Sequence, residues 1–161
     1  MLMPVNKLKT LYFSVLLAFM SLLLPWSQTA LLLRPDFMLL VLIFWLIRAP
    51  NLCNVGTAWM LGLLVDLAAG MVFGQYALAY TVTAFFAVTY QRRLVLFTGV
   101  QQLLYVFSLL LISQLMLLII KTFAGGQFIG WLYFLPSLTG VLLWLLAMGL
   151  GLNTGGRGRA N

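Results

Sequence analysis

The sequence predicts an all-α integral membrane protein of about six transmembrane helices, and three observations carry that expectation. The 161 residues are 64% hydrophobic and 7% charged, so too little polar surface exists to cover a water-soluble core. The apolar residues fall into six runs separated by short connectors. Nine basic and two acidic residues lie near the ends of these runs or between them, with the exception of Asp66, and membrane proteins distribute charge in this way.

A helix crosses a hydrocarbon core of about 30 Å with roughly 20 residues at 1.5 Å each. On that ruler the expected spans are residues 9–26, 35–48, 54–71, 73–90, 97–121 and 128–152, within one transmembrane domain over 1–161. At the first span Lys7 and Lys9 precede the apolar Leu11 to Leu24, as in a secretory signal. Cleavage after Ala30 would set Gln28, which is not small, at the position where a small residue is required. The first span is therefore expected to be retained.

The second span is short. Phe37 to Ile47 supplies eleven uninterrupted apolar residues, which rise only about 16 Å. Upstream, "LLLRPD" brings in Pro35, which would interrupt a helix ladder. Two accounts are open. Either Pro35 occupies the first helical turn with Asp36 complementing the helix dipole, or the helix starts below the outer surface with Arg34 and Asp36 held in protein.

The third span contains "GLLVDLAAG", in which Gly62, Asp66 and Gly70 recur every four residues, with Gly74 next in the series. Positions four apart share a helix face. Glycine costs about 1 kcal/mol relative to alanine inside a helix, but small residues at this spacing let a second helix approach closely. A lipid-exposed carboxylate would cost about 2.5–3.5 kcal/mol on insertion scales. Asp66 is therefore expected to point into the same helix contact. A hydrogen-bonding lock, a proton or cation site, and a contact with a separate subunit are the readings left open, with Gln75, Gln101, Gln102, Gln114, Ser108 and Ser113 as candidate side-chain partners. Gly74 either continues the stripe or belongs to the turn "GMVFG".

The remaining spans carry orientation. Six crossings leave both termini on one side, where Lys7, Lys9, Arg48, Arg92, Arg93, Arg157 and Arg159 fall, against Arg34 and Lys121 on the other. Seven against two predicts that both termini are cytoplasmic. Trp26 and Trp131 lie near outer ends and Trp45 and Tyr90 near inner ends, as interface anchors do, while Trp144 is mid-span and reads as packing. Residues 153–161, in "GLNTGGRGRAN", are expected to form a short, flexible, basic cytoplasmic tail.

Several kinds of chemistry have no residues to perform them. There is no histidine, the two acidic residues are both aspartate, and a single cysteine, Cys53, has neither a disulfide partner nor a histidine to activate it. No G-x-S-x-G elbow or G-x-x-x-x-G-K-[ST] phosphate loop occurs. No enzyme activity, metal or cofactor is expected. The nine basic residues are dispersed in ones and twos, which argues against nucleic acid as a partner and for the lipid bilayer.

Taken together, "LRPDFMLLVLIFWLIRAPNLCNVGTAWMLGLLVDLAAGMVFGQYALAY", Leu33 to Tyr80, resembles the MreD family of rod shape-determining proteins of bacterial inner membranes. The resemblance rests on Arg34-Pro35 before a short span, on Trp45 and Pro50, on Asn54-Val55-Gly56, and on the series Gly62, Asp66, Gly70, Gly74. Between Pro50 and Asn54 the chain reads "NLC" where relatives are expected to carry a basic residue, which leaves Arg48 as the nearby cation.

The resemblance implies a non-enzymatic subunit of the cell-elongation (Rod) machinery of the inner membrane, organising lateral peptidoglycan synthesis. It would bind MreC and work with MreB, RodA and an elongation-class penicillin-binding protein. It also implies a fold like that of the six-helix substrate-binding subunits of vitamin (ECF-type) importers, without their ligand. Gly62, Asp66, Gly70 and Gly74 would serve helix packing or partner binding, Arg34, Pro35 and Asp36 an outer-face polar motif, and Pro50, Asn54 and Gly56 an inner-loop motif. The competing expectation is a small-solute or proton-coupled transport subunit, using the region of "RPD" or Asp66.

Overall fold

The computed structural model describes residues 5–24, 34–70, 73–94, 99–125 and 130–149. Among them are six α-helices and no strand: α1 (Val5–Leu23), α2 (Phe37–Arg48), α3 (Val55–Ala69), α4 (Gln75–Leu94), α5 (Gly99–Phe123) and α6 (Leu135–Gly149), the last entered through a 3₁₀ turn at Trp131–Phe134. Each expected span has its helix. Among the described residues only α5 is long and apolar enough by itself to cross a membrane; α1 over Leu8–Leu23, α2, α3 and α6 are shorter apolar helices. Trp26, the side chains of Lys7, Arg92, Arg93 and Trp131, and the tail at 153–161 lie outside what the structure describes.

Helix α2 forms the centre. It is apolar along its whole circumference, a pattern that belongs to a buried helix rather than to an amphipathic one. Met38, Leu39, Leu42, Ile43 and Leu46 are at most 2% exposed, enclosed by α1 on one side and by α4 and α6 on others. Phe44 and Trp144 meet edge to face at 6.2 Å, joining α2 to α6, so Trp144 is a packing residue. The Trp45 indole Nε1 donates to the Ser14 hydroxyl at 2.9 Å, joining α2 to α1.

This enclosure explains why α2 is short. Twelve residues rise about 18 Å, which suffices for a helix surrounded by other helices. Its start differs from the first account above: Pro35 precedes the cap and is not in the first turn, while Asp36 is itself the N-cap and accepts from the Leu39 N–H at 3.1 Å. Arg34, just before it, is half-buried and donates from Nη2 to the Ser21 carbonyl of α1 at 2.7 Å.

The loop from α2 to α3 follows from its residues. Pro50 occupies the second position of a turn closed by the Leu52 N–H on the Ala49 carbonyl at 2.9 Å, where a fixed φ is an advantage. Asn54 then opens α3 through a reciprocal cap: its side chain accepts from the Thr57 N–H at 3.1 Å, and its own N–H donates to Thr57 Oγ1 at 2.9 Å. A Cβ on Gly56 would stand 3.3 Å from the Asn54 side-chain oxygen, so glycine leaves that cap undisturbed. The inner-loop motif thus has a local structural cause.

Replacing Asn54 by alanine removes one half of this cap and should lower unfolding stability by about 1 kcal/mol. Thermal unfolding of the purified protein in detergent would check it, and an unchanged midpoint would contradict the assignment.

Candidate functional site

Asp66 sits in the last turn of α3, is 1% exposed, and faces the start of α4. Helix α4 begins badly by its own means. Its N-cap position is Gly74, whose carbonyl accepts from the Leu78 N–H and which has no side chain to satisfy the first N–H groups of the helix. Asp66 supplies the missing acceptor from the preceding helix. Its Oδ2 accepts from the N–H of Gly74 at 3.0 Å and of Ala77 at 3.2 Å, and its Oδ1 from the N–H of Tyr76 at 2.9 Å.

The Tyr76 and Ala77 N–H groups are the donors that an ordinary N-cap side chain serves, and the Gly74 N–H is that of the cap residue itself; all three are here reached from eight residues upstream of Gly74. A carboxylate at a helix N-terminus also meets the positive end of the macrodipole. The polar side chains proposed as partners are not used: Gln75 donates to the Leu117 carbonyl at 3.4 Å, Gln114 accepts from Ser137 at 2.6 Å, and Ser108 bonds back to the Leu104 carbonyl.

Gly62 makes the reach feasible. A Cβ there would lie 2.4 Å from Ala77 Cα and 2.7 Å from the Tyr76 carbonyl oxygen, so only glycine lets the first turn of α4 press against α3. The other two members of the series do different work. Gly70 caps the end of α3 in the left-handed conformation, with φ 60° and ψ 26°, and Gly74 has φ 94° at the start of α4. A Cβ at either would meet nothing within 4 Å. The expected stripe of small residues along one packing face is thereby corrected: Gly62 and Asp66 face α4, whereas Gly70 and Gly74 shape the turn between the helices.

The other aspartate repeats the device. Besides capping its own helix, Asp36 accepts the Tyr80 hydroxyl at 2.7 Å on each carboxylate oxygen, and Tyr80 is wholly buried. Both acidic side chains therefore hold a helix start and tie it to another helix, Asp36 joining α2 to α4 and Asp66 joining α3 to α4. Tyr80 was not among the residues singled out from the sequence. The signal was there in principle, since a tyrosine deep in an apolar helix must place its hydroxyl on a partner and few polar groups were on offer.

Cys53 is buried in the α2–α3 loop, and burial pushes its thiol up from the ordinary value, which makes it a poor nucleophile. A cavity of about 350 Å³ lies between α1, the start of α2 and α5, with Arg34, Asp36, Ser113, Gln114 and Lys121 in its walls.

Compared with known proteins, the chain matches the family model described as rod shape-determining protein MreD over residues 5–151. It is 30% identical over 129 residues to the rod shape-determining protein MreD of Haemophilus influenzae, covering 80% of this chain and 79% of that one. No solved structure matches the chain.

Two substitutions test the cap. Asparagine in place of Asp66 offers one carbonyl oxygen and turns an NH₂ group toward at least one backbone N–H, so Asp66→Asn should lose about 1–3 kcal/mol, and Asp66→Leu should lose more. Gly62→Ala forces the helices apart and should cost about 1–3 kcal/mol. Unfolding in detergent should rank wild type, then Asn, then Leu at position 66; an Asn variant as stable as wild type would remove the capping role.

Proposed function

The chain belongs to the MreD family of rod shape-determining proteins, and on that premise we propose that it is a multi-pass, non-enzymatic scaffold of the bacterial inner membrane that organises lateral peptidoglycan synthesis by binding MreC. The single observation that carries this reading is the family match, which runs through all six helices. MreB, RodA and an elongation-class penicillin-binding protein act in the same assembly. The excess of cations in the connectors on the side of the termini supports a cytoplasmic placement of both ends.

In this scheme Gly62, Asp66, Gly70 and Gly74 serve the partner indirectly. They face the chain's own α4 or form the turn before it, so their part is to hold α3 and α4 in one rigid hairpin on which assembly depends. Three backbone donors on Asp66 favour this packing role over proton coupling. The absence of histidine, of glutamate and of an activated nucleophile in the sequence supports a non-catalytic role. The likeness to vitamin-importer subunits rests on the resemblance alone and lends this chain no ligand.

Controlled depletion in the source bacterium tests the reading. Rods should round into spheres and recover with the wild-type chain, and MreC should co-purify with the wild-type chain from detergent-solubilised membranes. Depleted cells that stay rod-shaped would overturn the elongation role; recovery of shape without MreC in the purified material would overturn the choice of partner.

A further inference from the structure

The cavity between α1, α2 and α5 is built unlike the rest of the interior. Its volume, about 350 Å³, falls within the roughly 300–1,000 Å³ typical of small-molecule sites. Arg34 and Lys121 are both in its walls, against the one carboxylate of Asp36. That carboxylate is occupied by the Tyr80 hydroxyl and the Leu39 N–H. Arg34 donates to the Ser21 carbonyl, and Lys121 reaches over the Tyr133 ring, 5.4 Å from its centroid.

Ser113 supplies the second, independent sign. It lines the cavity, is 1% exposed, and its Oγ has no hydrogen-bond partner. Elsewhere on these helices, Thr81, Thr83, Thr89, Ser108 and Thr122 turn their hydroxyls back onto the carbonyl four residues earlier. Ser113 does not, although burying a polar group unpaired is costly. Next to it, the Ser137 hydroxyl occupies the Gln114 side-chain oxygen at 2.6 Å, so the donor end of that amide remains for a ligand. Donors and positive charge share this cavity, while the Asp36 carboxylate and the Gln114 oxygen are already used.

We propose that this cavity binds an anionic, oxygen-rich group of the phosphate class, with Arg34 and Lys121 supplying charge and Ser113 and Gln114 supplying hydrogen bonds. Such a group completes the Ser113 hydroxyl and brings a charge opposite to those of Arg34 and Lys121 into a low-dielectric surrounding. Either a phospholipid headgroup or a free phosphate has this chemistry. The site stands apart from the assembly role: binding is read on the purified chain and shape in cells, so either can fail alone.

The test is thermal unfolding of the full chain in neutral detergent, titrated with phosphatidylglycerol, with phosphatidylcholine and with inorganic phosphate. Phosphatidylglycerol should raise the midpoint, and Lys121→Gln should weaken that effect about tenfold in apparent affinity, while Lys9→Gln, on the exposed face of α1, should leave it unchanged. Ser113→Ala is the sharper variant. Without ligand it should be at least as stable as wild type, because an unpaired hydroxyl is gone, yet its response to ligand should fall severalfold. A response to inorganic phosphate that competes with the lipid identifies a free oxyanion as sufficient; a response to phosphatidylglycerol alone identifies the headgroup. Equal responses to both lipids with none to phosphate, or Lys121→Gln and Ser113→Ala variants that respond as wild type does, would overturn the proposal.

Discussion

The hydrogen bonds from the start of α4 to Asp66 are the constraint on which the arrangement of α3 and α4 depends. A helix that opens on glycine has no side chain to take its first N–H groups, and in an apolar interior water is not there to do so. Asp66 solves this from another helix, and the solution dictates its surroundings. The carboxylate can reach only if the two backbones nearly touch, which requires Gly62, and the chain can return so tightly only by passing through positive φ at Gly70 and Gly74. Four residues at equal spacing are thus the parts of one hairpin.

The same economy governs the only other acidic residue. Asp36 caps α2 and takes the Tyr80 hydroxyl, so α4 is held by aspartate at its first turn and again one turn further on. With α2 enclosed by α1, α4 and α6, these contacts make a rigid centre out of helices that are individually short. Polar groups in such an interior are expensive unless paired, and among the described residues the unpaired buried side-chain atoms are those of Ser113 and Trp144. That scarcity is what makes the cavity beside Ser113 informative.

This rigidity suits the scaffold role proposed above, which calls for a fixed shape more than for reactive groups. The family to which the chain belongs is defined by cell shape, and a body whose helix pairs are locked by buried carboxylates offers a partner a fixed outline. The loops fit that picture: the turn at Pro50 and the cap at Asn54 fasten α2 to α3 within a few residues, which leaves little freedom between them.

Much of this was legible in the sequence, and the reason is hydropathy. Composition and the spacing of apolar runs determined the all-helical class and the number and order of the helices, because lipid-like interiors admit little other than helices. The same reasoning located Asp66 in a helix contact, since a carboxylate has nowhere else to go. Periodicity could not say which atoms Asp66 would meet; it read Gly70 as continuing a face that the helix no longer presents past Ala69, and it left Gly74 open between that face and the turn. Nor could it pair Asp36 with Tyr80, 44 residues away, or bring Arg34 and Lys121 to one cavity. One-dimensional patterns report which side of a helix is buried; the partner on that side is chosen by how the helices pack, and that only the tertiary structure decided.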